Sequence, residues 1–357
     1  MSIEALPQLR PLTLGELLDR AVKLYRRNFW RFVAIIAVVQ IPISLLNYLS
    51  SSLMTRDMPD PGLTLYTTTD PFGTSYWSGV GLSMLISLAQ YFLLQGVASA
   101  ALAHAVANHY LGKSTSFSEA YRQVGTRWKS LFGALVIAFC ILLVTGIGTV
   151  VICCAGWVVG PGVTLFFTIA ILPLIAPIAM LERQSAVDII RRAWDLARRR
   201  FWWILGFMLI LSIFVWLIVI GPTFLLGMLL GAVQESLLRS VDMATFSLIQ
   251  TAFQAVISTI TGVFVYPLQL TAIVLMYLDL RVRSEGFDLT LLAESTLAEQ
   301  RDIETIITQA PPAEQGNLVT WREIGYFCLI FVGIAAAYAL LYALVIALAL
   351  SMPAMFT

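Results

Sequence analysis

The sequence predicts an all-α membrane protein: seven transmembrane helices, arranged as three repeated units and one extra span at the carboxyl end. Each unit is an interfacial amphipathic helix followed by a helical hairpin. Three observations predict it. Of 357 residues, 59% are hydrophobic and 12% charged, about half the charged fraction usual in a soluble domain. Uncharged runs recur that are long enough to cross a hydrocarbon core of about 30 Å at a rise of about 1.5 Å per residue. Finally, Lys and Arg fall alternately between those runs, and one motif returns along the chain.

The runs lie roughly at 29–53, 78–103, 130–153, 157–181, 201–232, 246–278 and 324–352. The third and fourth are joined by little more than CCAGWVVG, a tight hairpin if both cross. Twenty of the 22 Lys and Arg then fall on one side and two on the other. Cytoplasmic loops keep Lys and Arg, so the split predicts a membrane protein with its amino terminus cytoplasmic and its carboxyl terminus outside. Charges spread over an amphipathic start, with no small-residue cleavage site after the first run, predict that the start is not a cleaved signal peptide. The division expected is a six-span domain over 1–283, an acidic cytoplasmic linker over 284–322 and a carboxyl-terminal transmembrane helix over 323–357. From 284 to 321 one Arg stands against seven acids, a composition suited to a short helix and a flexible linker.

The motif explains the arginines. Aligning Thr13 with Ser185 places Arg20, Ala21, Leu24, Arg26, Arg27, Phe29 and Trp30 opposite Arg192, Ala193, Leu196, Arg198, Arg199, Phe201 and Trp202. A weaker copy starts at Ser116, where Glu119 matches Glu16 and Phe132 matches Phe29. Thr13 with Glu16, Ser116 with Glu119 and Ser185 with Asp188 each read as a helix-starting capping box. In the first copy Leu14, Leu17, Leu18, Ala21, Val22 and Tyr25 recur at helical spacing, with charges mostly opposite. Such a helix can lie in the inner-leaflet interface on anionic lipid, with Trp marking where the chain enters the bilayer. The expected interface residues are Arg20, Lys23, Arg26, Arg27, Trp30, Arg127, Trp128, Lys129, Arg192, Arg198, Arg199 and Trp202. The competing expectation is that these helices pack on the cytoplasmic ends of other spans.

No Asp, Glu, Lys or Arg stands mid-span, which disfavours a proton-coupled carrier, pump or voltage sensor. Polar residues do occur there. Gln40, Asn47, Gln90 and Gln269 either line a polar cavity or bond between helices. Pro173 and Pro177 should leave the carbonyls of Ile169 and Pro173 without their helical donors. His104 and His109 are too far apart around a helix for a zinc pair, whereas His104 and Asn108 share a face and are expected at headgroups. Cys140 and Cys328 lie in apolar runs and Cys153 and Cys154 are adjacent, so no metal-ligand or disulfide spacing arises. GMLLG at 227–231 has the form of a close-packing motif. No catalytic motif, cofactor loop or metal cluster is read, and the cationic skirt fits lipid headgroups better than nucleic acid.

PLTLGELLDRAVKLYRRNFW near the start and YLDLRVRSEGFDL after the sixth span resemble the bacterial membrane domain of the glycerophosphoryl diester phosphodiesterase family, in its stand-alone form. The resemblance covers most of 10–292. In some members that domain precedes a soluble phosphodiesterase domain. Its His-Arg-Gly type motif has no counterpart here, so the resemblance implies fold and location and transfers no catalytic residue. The function expected first is non-enzymatic support of lipid or envelope processes, with an acidic linker open to a cytoplasmic or membrane partner subunit. A transporter or lipid-handling permease is the alternative, and an intramembrane enzyme is a distant third.

Overall fold

A computed structural model describes residues 12–56, 74–110, 115–151, 155–240, 243–285 and 320–351. These are almost entirely helical, without a strand among the described residues. The helices are α1 (Leu14–Arg27), α2 (Phe29–Arg56), α3 (Thr74–Gln90), α4 (Ser99–Tyr110), α5 (Phe117–Val151), α6 (Ala155–Phe166), α7 (Leu172–Leu181), α8 (Ala186–Arg199), α9 (Phe201–Ser240), α10 (Met243–Glu285) and α11 (Trp321–Ser351). Wider π-helical turns join α3 to α4 over Tyr91–Ala98 and α6 to α7 over Phe167–Ile171. The second of these stretches leads directly into Pro173, whose ring nitrogen cannot donate to Ile169. Seven helical stretches are long and apolar enough to cross a membrane, matching the seven runs. Most of the expected acidic linker, the loop after the first span and the Cys153–Cys154 pair lie outside the described residues.

Helix starts follow their caps. Thr13 Oγ1 accepts from Glu16 N at 3.3 Å and Thr13 N donates to Glu16 Oε2 at 2.9 Å. Ser185 Oγ accepts from Asp188 N at 3.4 Å, and Ser116 and Glu119 form the same reciprocal pair. α1 and α8 each run for 14 residues and break at matching positions. Asn28, at φ −118° and ψ 24°, folds its side chain back onto the Leu24 carbonyl at 3.2 Å, and Arg200 has φ −128° and ψ 41°. The middle copy does not break. Its position equivalent to Asn28 is Leu131, a good helix former that is buried, so α5 runs unbroken through the expected interface and the separate helix foreseen there is absent.

The amphipathic helices also sit differently from an interfacial ramp. The apolar face of α1, with Leu17 and Ala21 fully buried, is covered by α10, and that of α8, with Ile189, Ala193 and Leu196, is covered by α5 and α7. Protein rather than acyl chain takes up these faces, as the competing expectation had it.

Packing is uneven along the spans. At the near end, which carries α1, nearly every residue of α4 from 99 to 107, of α7 from 174 to 181 and of α10 from 270 to 282 is buried. Runs of Ala in α4 let the three backbones approach closely. At the far end Val150, Val151, Phe224 and Leu340 are exposed, a surface that acyl chains cover at no hydrophobic cost. α11 is the outermost helix and docks on α6. A Cβ at Gly162 would lie 2.4 Å from the Phe327 carbonyl oxygen, so only glycine admits the backbone contact that seats it. Gly227 and Gly231 of the GMLLG motif, by contrast, meet nothing within 4 Å.

Candidate functional site: a polar groove above a sealed ion network

In the far half of the bundle a cavity of about 690 Å³ opens between α2, α3 and α10. Its walls are two polar stripes at helical spacing. Gln40, Ser44, Asn47 and Ser51 form one along α2, Gln250, Gln254 and Ser258 form the other along α10, and Gln90 closes the floor from the end of α3. Gln40 lies 11 residues past Phe29, about 16 Å along α2 at the helical rise, and Ser51 lies about 33 Å along it. The groove thus runs from the middle of the first apolar span to its far end. Gln250, Gln254 and Ser258 are exposed, and no charged side chain occurs among the described residues lining it.

The carboxamides of the groove make few bonds within it. Gln40 Nε2 donates to Ser44 Oγ at 3.3 Å and Asn47 Nδ2 to Gln90 Oε1 at 3.4 Å. Each carboxamide can make up to four hydrogen bonds, so most of this capacity faces the open space. In hydrocarbon that would be costly, so water or the polar part of a ligand must fill it. Three of the four residues singled out from the sequence therefore converge. Gln269 does not join them: it lies about 22 Å further along α10 from Gln254.

The near end holds a different polar cluster that the sequence reading passed over. Glu182, fully buried at the end of α7, accepts from Arg192 Nε at 3.1 Å and from the Tyr277 hydroxyl at 2.7 Å, with Arg281 Nε at 3.8 Å. Arg192 also reaches Glu285, which pairs with Arg281 at 3.3 Å. Two carboxylates and two guanidiniums thus balance inside the protein, which is what burial of ions demands. Tyr277, Arg281 and Glu285 are successive i, i+4 neighbours on one face of α10. On another face Asp279 accepts from Leu12 N at 2.8 Å and from Arg283 Nε at 2.6 Å, while Arg283 also donates to the Leu12 carbonyl and lies 5.2 Å over the Trp203 ring. This second stripe pins the start of α1. The motif YLDLRVRSE is the last two turns of α10, and its charges are structural partners rather than loop cations.

The expected interface residues divide accordingly. Arg26, Arg27, Lys129, Trp128 and Arg199 are exposed, as are Trp30 (75%) and Trp202 (51%). Lys23 pairs with Asp19 at 2.6 Å on the surface. Arg20 donates to the Tyr110 hydroxyl at 3.1 Å, and Arg198 pairs with Asp195 at 2.9 Å. Arg127 caps the end of α7, donating to the carbonyls of Ala179 (3.3 Å), Met180 (2.8 Å) and Glu182 (3.4 Å), which otherwise lack helical donors. Arg192 departs from the expectation altogether: it is 5% exposed and held between two carboxylates, out of reach of headgroups.

Tyr25 of α1 donates to the Phe264 carbonyl at 2.6 Å, and burial pushes its hydroxyl up to about 12, so it remains a donor at any physiological pH. His104 bonds Asn108 at 3.0 Å, and Asn108 holds Thr115 at 2.9 Å, so the pair expected at headgroups ties α4 to the residue that precedes the α5 cap. No group of three or more His, Cys, Asp or Glu is placed to hold a metal ion among the described residues.

Comparison with family models, curated proteins and solved structures gave no match, so the resemblance noted at the two terminal motifs gains no support from them.

Proposed function

We propose that this multi-pass membrane protein is a lipid-handling permease of the bacterial cytoplasmic membrane. In this reading its near end is inside, and the groove admits a molecule with an uncharged, hydrogen-bonding head from the outer half of the bilayer. The observation that carries the proposal is the convergence of Gln40, Asn47, Gln90, Gln250 and Gln254 on one open groove at membrane depth. Carboxamides and hydroxyls donate and accept but carry no countercharge. An ionised group entering the groove would lose hydration without a partner, whereas a hydroxylated or amide head would exchange its water for the lining. The alternation of Lys and Arg supports the orientation. No chemical step is assigned: the protein binds and moves.

Single cysteines at Gln40, Asn47 and Gln254, in a chain whose four native cysteines are replaced, test this with a membrane-impermeant maleimide. Labelling at all three from the outside, slowed by a lipid with a hydroxylated head, is the expected result. A second reading, non-enzymatic support of envelope processes with a partner subunit and anionic lipid, is favoured by the Asn47–Gln90 bond, which joins α2 to α3 as a purely structural contact would. It requires Gln40 to stay unlabelled and the lipid to have no effect. Periplasmic activity of a reporter fused at 190 or 290 would overturn the orientation in both readings.

A further inference from the structure

A second cavity, of about 480 Å³, lies at the near end, where the corner between α8 and α9 meets the first turn of α11. Two segments far apart in sequence build it. Arg198, Arg199 and Arg200 come from the end of α8 and its break, and Arg322 comes from the start of α11. Its wall is aromatic: the Tyr326 ring packs on Phe201 at 5.0 Å and on Trp202 at 5.4 Å. Arg322 stacks 5.6 Å over Tyr326 and donates to its hydroxyl at 2.6 Å, which holds the guanidinium at the rim. Among the described residues, the acidic groups nearby are already engaged. Asp195 pairs with Arg198, and Glu323 accepts from Thr320 N at 2.7 Å as the cap of α11. Arg200 and Arg322 are exposed, as are the Trp202 and Trp321 side chains.

We propose that this cleft is a discrete site for the phosphate of an anionic phospholipid, with guanidiniums on the headgroup and the acyl chains beside Trp202. Planar guanidiniums match phosphate oxygens in paired hydrogen bonds. Exposed tryptophan beside them marks the level at which headgroup gives way to acyl chain. The first turn of α9 adds the positive end of a helix dipole. A diffuse cationic skirt would attract any anionic lipid equally along α1 and α8, whereas this cleft exists only where α11 closes it. The site is independent of the groove, whose residues lie in the far half, and it does not depend on which side of the membrane the near end faces.

The test uses the full chain in detergent and a short-chain fluorescent phosphatidylglycerol. An R200Q/R322Q double variant should lose tenfold or more in affinity, while R26Q/R27Q, which removes the same charge from the exposed end of α1, should lose less than twofold. Both pairs are exposed, and an unchanged melting temperature confirms that each variant is folded. Restoring the second guanidinium's charge as R200Q/R322K should recover only part of the loss, because Lys lacks the paired geometry. Equal losses in the two double variants would overturn the proposal in favour of non-specific attraction. Displacement of the probe by inorganic phosphate or soluble glycerol phosphate at comparable concentrations would equally overturn it, because the site would then take a free phosphate rather than a lipid.

Discussion

The two halves of the bundle handle polarity in opposite ways. At the near end Glu182, Arg192, Tyr277 and Arg281 are charged or strongly polar, buried and, with the half-buried Glu285, bonded to one another. In the far half Gln40, Asn47, Gln90 and Gln254 are uncharged, partly open and scarcely bonded. The difference teaches where rigidity and function reside. A closed network with every charge compensated fixes one arrangement of α7, α8 and α10, and removing a member leaves its partner uncompensated. Unspent hydrogen-bonding capacity stabilises nothing until something occupies it.

The largest test strikes the sealed end. E182A or R281A should lower unfolding free energy by about 3–5 kcal/mol, because each strands a buried ion. Reversible denaturation in mixed micelles measures this, and a loss below about 1 kcal/mol would mean that the network is wetter than its burial implies. Next, G162A pushes a methyl group into the Phe327 backbone, an overpacking cost of about 1–3 kcal/mol, with α11 more readily cut by protease. T13A removes one cap from α1 and should cost about 1 kcal/mol, seen as a lower melting temperature with the groove unaltered. The smallest effect on stability sharpens the other side: Q40L or Q254L should change stability by under about 1 kcal/mol in either direction while abolishing the lipid response of labelling. A groove variant as destabilising as E182A would erase the contrast.

Much of this was legible in the sequence because the signals are local. Span number follows from run length, and the starts of α1 and α8 follow from Thr13–Glu16 and Ser185–Asp188 within one turn. The polar stripe Gln40–Ser44–Asn47 repeats on one helix face. Its partner stripe on α10 could not be assigned from sequence, since which helices face each other is set by packing over more than 200 residues. The ion network was missed for a different reason. Arg281 and Arg283 were counted as loop cations, although the i, i+4 steps Tyr277–Arg281–Glu285 and Asp279–Arg283 already described a continuing helix with two polar faces. Arg192 matched Arg20 in the alignment, yet Arg20 meets a tyrosine hydroxyl and Arg192 meets two carboxylates. A shared motif and a shared environment are separate matters.

The glycine contact between α6 and α11 bears finally on how the protein is made. The ribosome delivers α11 after its receptor helix, so the notch at Gly162 waits, complete and unfilled, while α7 to α10 are inserted. Docking is then a late event in the membrane, and until it occurs the arginines of the α8–α9 corner have no opposing wall.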